Sequence, residues 1–101
     1  MQVSVSMNKE AAVLRLVGSF DCKCHRQFTD ATRPLIANAE VKELLLDLTD
    51  VDRLDSSALG LMLVTRDEAK KTGKTIALKG ARGVTKRALD MAQFELLFAF
   101  K

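Results

Sequence analysis

Asp55-Ser56-Ser57-Ala58-Leu59 sets two adjacent hydroxyls where an apolar strand pattern gives way to a helical one. The first residues of a helix carry unpaired backbone N–H groups, and an Asp or Ser at that position accepts one of them through its side chain. Capping by Asp55 or Ser56 is one role for the segment. The same geometry suits a phosphoryl group, which brings about −1.5 to −2 charges near neutral pH to the helix end that favours negative charge. Asp47, Asp50, Asp52 and Asp55 lie along the approach, so a phosphate on either serine would turn a mildly acidic rim into a strongly acidic one. That change would repel a docked partner without unfolding the domain, a charge switch at an interface.

Other reactive residues carry less. Cys22, Cys24 and His25 offer three ligands within four residues. Structural zinc sites use four ligands at wider spacing, and no second cluster exists, so no metal is expected. Two cysteines one residue apart cannot build a disulfide framework, and on a helix they point in different directions. Reduced thiols, with Cys24 serving as an apolar residue, account for both; Cys22, close to a helix start, is the one redox candidate. His25 is the only histidine, and no spacing supplies the partner that a general acid or base needs. Gly80 and Gly83 do not match the phosphate-cradling pattern G-x-x-x-x-G-K-[ST]. No catalytic residue and no cofactor follow, and the chain reads as non-enzymatic.

The elements that must position the serines are legible from periodicity. Val3, Val5 and Met7 alternate with Gln2, Ser4, Ser6 and Asn8, predicting a strand with one buried face. Asn8-Lys9-Glu10 predicts a turn. Ala12, Leu14 and Leu16, alternating with Val13, Arg15 and Val17, predict a second strand ended by Gly18, and the short spacing makes the pair an antiparallel hairpin. Asp21 caps a helix beginning near Cys22, with Cys24, Phe28, Ala31 and Leu35 as its apolar stripe. Pro34 clashes with the Asp30 carbonyl in a straight helix, predicting a bend or a change of register. Val41 to Leu48 predicts a strand buried on both faces. Leu59, Met62, Leu63, Arg66 and Ala69 trace one face of the next helix, stopped by Gly73. Thr75 to Leu78 gives a strand, Gly80-Ala81-Arg82-Gly83 a turn, Val84, Ala88 and Met91 a short helix, and Leu96, Phe98 and Phe100 a short final strand. Strands separated by helices should be parallel, with right-handed crossovers. The expectation is one α/β domain over residues 1–101 with a mixed sheet.

Composition agrees with that scale. The chain has 101 residues, enough for one domain, and its 48% apolar content supplies a core in which Phe must provide the aromatic part, since Trp and Tyr are absent. A net charge of +3 without a basic run does not imply direct nucleic-acid binding. The N-terminus lacks a basic segment followed by an apolar stretch, and no apolar run approaches a membrane span. No membrane insertion and a cytoplasmic location are expected.

Val51-Asp52-Arg53-Leu54-Asp55-Ser56-Ser57-Ala58-Leu59-Gly60 resembles the segment around the regulatory serine of the STAS family, the bacterial anti-sigma factor antagonists. Gly18-Ser19-Phe20-Asp21 resembles that family's exit from its second strand, and Leu78-Lys79-Gly80-Ala81-Arg82 the connection after its fourth. The likeness covers nearly the whole chain and implies a single STAS domain, with an N-terminal hairpin followed by β-α units. It implies Ser57, the second serine of the pair, as phosphate acceptor, with Ser56 as the alternative. It further implies a partner serine kinase, often itself an anti-sigma factor, and a PP2C-type phosphatase. The unmodified form would bind the kinase-like regulator and free a sigma factor or another client. The implied partner surface comprises Asp21, Arg53, Asp55, Ser56, Ser57, Ala58, Leu61 and Arg82. The alternative is a constitutive binding module in a larger assembly, such as a lipid-transport or stress-sensing complex. Ala58 stands where the family commonly has glycine, which implies a firmer helix start. The chain stops at Lys101 without the final helix the family often carries, so the Phe-rich tail is expected to be less covered and to favour a homodimer.

Overall fold

A computed structural model describes residues 1–101. Strands β1 (Gln2–Asn8) and β2 (Ala11–Phe20) form the hairpin, followed by α1 (His25–Ala37), β3 (Glu43–Leu54), α2 (Ser56–Lys71), β4 (Thr75–Lys79), α3 (Gly83–Met91) and β5 (Ala99–Phe100). Short 3-10 turns at Cys22–Cys24 and Phe94–Leu96 lead into α1 and β5. The sheet order is β1-β2-β3-β4-β5, antiparallel between β1 and β2 and parallel thereafter. The strands follow one another across the sheet without reversal, so right-handed crossovers stack the helices on a single face. The register shows the two faces. Leu14, Leu46 and Leu78 lie in one row and are fully buried. The row behind, Ser4, Arg15, Asp47 and Lys79, is polar and largely exposed.

That one-sided cover corrects several expectations. β3 has one buried face and one half-buried face, because no helix lies over Leu45. It also runs six residues past Leu48. The β2–β3 ladder shifts register between Arg15 and Val17 and between Gly18 and Ser19, with the extra residues on β3. Each bulge changes which side chains face inward, so burial passes from Leu44, Leu46 and Leu48 to Val51. β2 does not end at Gly18; that residue takes φ +105 inside the strand, which continues to Phe20. β1 forms as expected, but only Val3 packs against the core; Val5 and Met7 are about half exposed because the core does not extend over them.

The helices form where predicted but turn differently. α1 continues through an exposed Pro34 to Ala37 as one α-helix, with Cys24 and Phe28 buried and Ala31 and Leu35 half-buried. α2 buries Ala58, Leu61, Met62, Thr65 and Ala69, a stripe one residue round from the predicted one. Arg66 sits at its edge, donating from Nε to the Leu97 carbonyl at 2.6 Å. α3 turns Thr85 and Leu89 inward and leaves Val84 and Met91 exposed. Small and hydroxylated side chains reach the sheet there, with their O–H groups satisfied: Thr65 donates to the Leu61 carbonyl at 2.8 Å and Thr85 to the Val51 carbonyl at 2.9 Å. The Phe-rich tail is covered in part, with Phe94 and Phe98 buried and Leu96 and Leu97 exposed, and its strand is reduced to Ala99–Phe100 after the 3-10 turn. No helix is long and apolar enough to cross a membrane.

Candidate functional site

The serine pair sits at the carboxyl end of β3, where the chain turns into α2. Asp55, extended at φ −111 and ψ 178, is the N-cap. Its Oδ1 accepts the Ala58 N–H at 2.9 Å, the third helical amide, as a cap requires. Its Oδ2 accepts the Cys22 N–H at 3.3 Å, and its own N–H donates to the Phe20 carbonyl at 3.3 Å. One residue thus ties the start of α2 to the end of β2 and to the turn that leads into α1. Asp21 caps that turn, its Oδ1 accepting the Lys23 N–H at 3.0 Å with the buried Cys24 thiol 3.6 Å away. Capping therefore falls to Asp55 and not to Ser56. Ser56 and Ser57 are both exposed, and neither hydroxyl is hydrogen-bonded within the protein.

The acidic rim is less bare than its sequence. Asp50 pairs with Arg15 across the β2–β3 ladder, and Asp52 accepts the Ser19 hydroxyl at 3.1 Å. Asp47 accepts both the hydroxyl of Thr49 at 2.6 Å and its N–H at 3.0 Å. Partial burial works against the Asp47 carboxylate, but those two bonds, with Lys79 and Arg15 in support, hold it below its ordinary pKa. Only Asp55 among the four lies at the helix start itself.

The predicted partner residues divide into three groups. Asp55, Ser56 and Ser57 sit at the start of α2, and Asp21 caps the 3-10 turn that Asp55 ties to it through the Cys22 N–H. Arg53 and Arg82 are exposed, and Arg82 lines a surface depression with Thr49, Asp50, Val51 and Asp52. Ala58 and Leu61 face the core, at 1% and 9% exposure, and lie beneath the exposed residues of the site. Cys22 is an exposed free thiol and Cys24 a buried one.

Several supporting residues were not singled out from sequence. Ser19 and Arg15 fasten the acids, Thr85 fastens α3 beneath Val51, and Gly80 passes Thr49 so closely that a Cβ there would lie 2.0 Å from its Oγ1. The β-branched Thr49 and Val51 were the available sign that β3 continues past Leu48.

A protein-family model described as "Mlab, STAS domain" matches residues 3–98. A STAS-domain containing protein of Pseudomonas aeruginosa (strain UCBPP-PA14) is 30% identical over 93 residues, covering 92% of this chain and 90% of that protein. An anti-sigma factor antagonist from Mycobacterium paratuberculosis superposes with a TM-score of 0.81 at 21% identity, over 98% of this chain and 83% of that one. The anti-sigma factor antagonist SpoIIAA superposes in its unphosphorylated form (TM-score 0.77, 20% identity, 99% of this chain and 87% of that one). The phosphorylated form of SpoIIAA, a Bacillus cell fate determinant, gives a TM-score of 0.76 at 18% identity, over 99% and 91%. At such identities the likeness to the solved structures establishes the fold.

Proposed function

This chain belongs to the STAS domain family, and we propose that it is a cytoplasmic anti-sigma factor antagonist that changes partners through reversible phosphorylation of Ser57. The observation that carries this reading is the division of labour at the α2 start. Asp55 does the capping, so the exposed serine hydroxyls are not needed by the fold. A phosphoryl group on Ser57, in the first turn of α2, meets the helix end that favours negative charge, so the fold tolerates it. Its charge adds to Asp55 two residues away, and a partner docked over Asp21, Arg53, Asp55, Ser56, Ser57 and Arg82 is repelled. The protein is then a substrate and binding module rather than an enzyme. A serine kinase, itself an anti-sigma factor or its equivalent, adds the phosphate, and a PP2C-type phosphatase removes it. Further support comes from SpoIIAA, a protein of the same fold that exists in both phosphorylated and unphosphorylated forms.

Phosphopeptide mass spectrometry on protein purified from its native cell, with partner capture by Ser57→Ala and Ser57→Asp, tests the proposal. The expected result is phosphate on Ser57 in some growth states, capture by Ser57→Ala and loss of capture by Ser57→Asp. Phosphate on Ser56 instead would move the switch by one residue. Absence of phosphate in every growth state, with equal capture by both variants, would refute the switch and match a constitutive module of a larger assembly.

A further inference from the structure

β1 is a free edge of the sheet, and nothing in its sequence protects it. Monomeric proteins blunt such edges with Lys, Pro or a bulge. Gln2–Asn8 has no charge and no proline, and its register against β2 is unbroken. The hairpin fixes which backbone groups are left over. Asn8 and Ala11 flank the two-residue turn, so the turn's own hydrogen bond makes them a bonded pair. Alternation along an antiparallel ladder then commits Gln2, Ser4, Ser6 and Asn8 to β2 and turns the N–H and C=O of Val3, Val5 and Met7 outward. None of those groups finds a backbone partner elsewhere in the chain. The side chains of the same residues point to the helix-bearing face, where Val5 is 46% and Met7 52% exposed. Free backbone and uncovered apolar surface therefore coincide.

We propose that β1 pairs with β1 of a second copy, antiparallel about a two-fold axis at Val5. The strand Gln-Val-Ser-Val-Ser-Met-Asn has the same polar–apolar pattern in both directions. Self-pairing sets Val5 opposite Val5, Val3 opposite Met7, Ser4 opposite Ser6 and Gln2 opposite Asn8. Apolar side chains meet on one face and polar ones on the other. The residues with free backbone groups face one another, so each outward N–H finds a carbonyl, whereas a one-residue slip would lose both matches. The strand itself carries no charge; the like charges of this isologous contact, the Met1 ammonium opposite Lys9 of the second copy, lie at its two outer ends. Any extended segment could satisfy the backbone; the symmetric pattern singles out a second copy. β1 begins opposite Val17, at the end of the sheet from which β2 leads to Asp21. The two-fold therefore sends the two serine sites to opposite ends of the joined sheet, leaving both open to partners.

Sedimentation equilibrium on the full chain, from low micromolar to millimolar concentration, tests this. The expected mass rises with concentration from 11.1 kDa toward twice that value. Val5→Lys and Val5→Glu each put like charges on the axis at an already exposed position. Each should keep the parent circular dichroism spectrum and remain monomeric throughout. An equimolar mixture of the two should regain the dimer through opposite charges. A parent chain that stays monomeric, a dimer that survives Val5→Lys, or a mixture that fails to reassociate overturns the proposal.

Discussion

Asp55→Ala should destabilise the domain by about 1–2.5 kcal/mol. Loss of an N-cap carboxylate costs about 0.5–2 kcal/mol, and Oδ1 makes that bond to Ala58 at 2.9 Å. The second bond, from the Cys22 N–H to Oδ2 at 3.3 Å, is long and belongs at the low end of the roughly 0.5–1.5 kcal/mol net worth of a hydrogen bond. Asp55→Asn keeps one acceptor for Ala58 but loses the bond to Cys22 and the charge at the helix start, itself worth about 0.3–1 kcal/mol. It should therefore lie between the parent and Asp55→Ala. With a urea m-value of about 1–3 kcal/mol/M, a loss of about 2 kcal/mol lowers the midpoint by about 1 M. Urea unfolding followed by circular dichroism measures the order of the three proteins, and hydrogen exchange should show the Ala58 and Cys22 amides losing protection together in Asp55→Ala. If Asp55→Ala falls within about 0.3 kcal/mol of the parent, well below the usual range for a cap, or Asp55→Asn costs as much as Asp55→Ala, then Asp55 is not the cap. The serine hydroxyls could then no longer be regarded as spare.

Gly80→Ala should cost about 2–5 kcal/mol: its φ of +78 carries about 1–2 kcal/mol for a residue with a Cβ, and overpacking against Thr49, 2.0 Å from Oγ1 and 3.1 Å from the backbone nitrogen, adds about 1–3. Thermal unfolding of Gly80→Ala with and without Thr49→Ala checks it, because removing Oγ1 should recover part of the loss. Asp47 has a folded pKa below its ordinary 3.8, so its contribution is present above that value and is lost as pH falls through the lower folded pKa; Asp47→Asn should flatten the acid limb of a stability–pH curve below about pH 4 and leave its slope near neutrality unchanged. Ser57→Asp should leave the urea midpoint close to that of the parent, since the side chain is exposed at a helix start, and a large loss would show that the hydroxyl is structural.

The legible parts of this fold are those set by local chemistry. The hairpin, the β-α order, the Asp21 and Asp55 caps and the exposed serine pair follow from period-two alternation, helical periodicity and capping preference within a few residues. What failed depends on partners far along the chain. The length of β3 rests on bulges against β2, and a bulge breaks the alternation by which strands are read. The inward faces of α2 and α3 were misjudged because Ala58, Thr65 and Thr85 look like surface residues until their contacts with the core and the carbonyls of Leu61 and Val51 are known. The Arg15–Asp50 and Ser19–Asp52 pairs join residues 35 and 33 positions apart, so only the ladder register brings them together.

The bulges also bear on function. Without the extra residues β3 would end with its acids on a simple alternating edge, and Asp55 would not arrive opposite the end of β2. With them, Leu54 pairs with Phe20 and the next residue, Asp55, reaches the Cys22 amide. Two helix starts are thereby drawn to one carboxylate. Asp50 and Asp52, farther back along β3, are tied to Arg15 and Ser19 on β2. Under the proposed switch, a phosphoryl group on Ser57, at about −1.5 to −2 charges, would be the largest single change in charge at the start of α2. A switch of this kind works by contrast between two charge states on an unchanged fold. In the proposed switch the unchanged frame would be β3 and its bulges, which bring Asp55 to the cap beneath a pair of exposed serines.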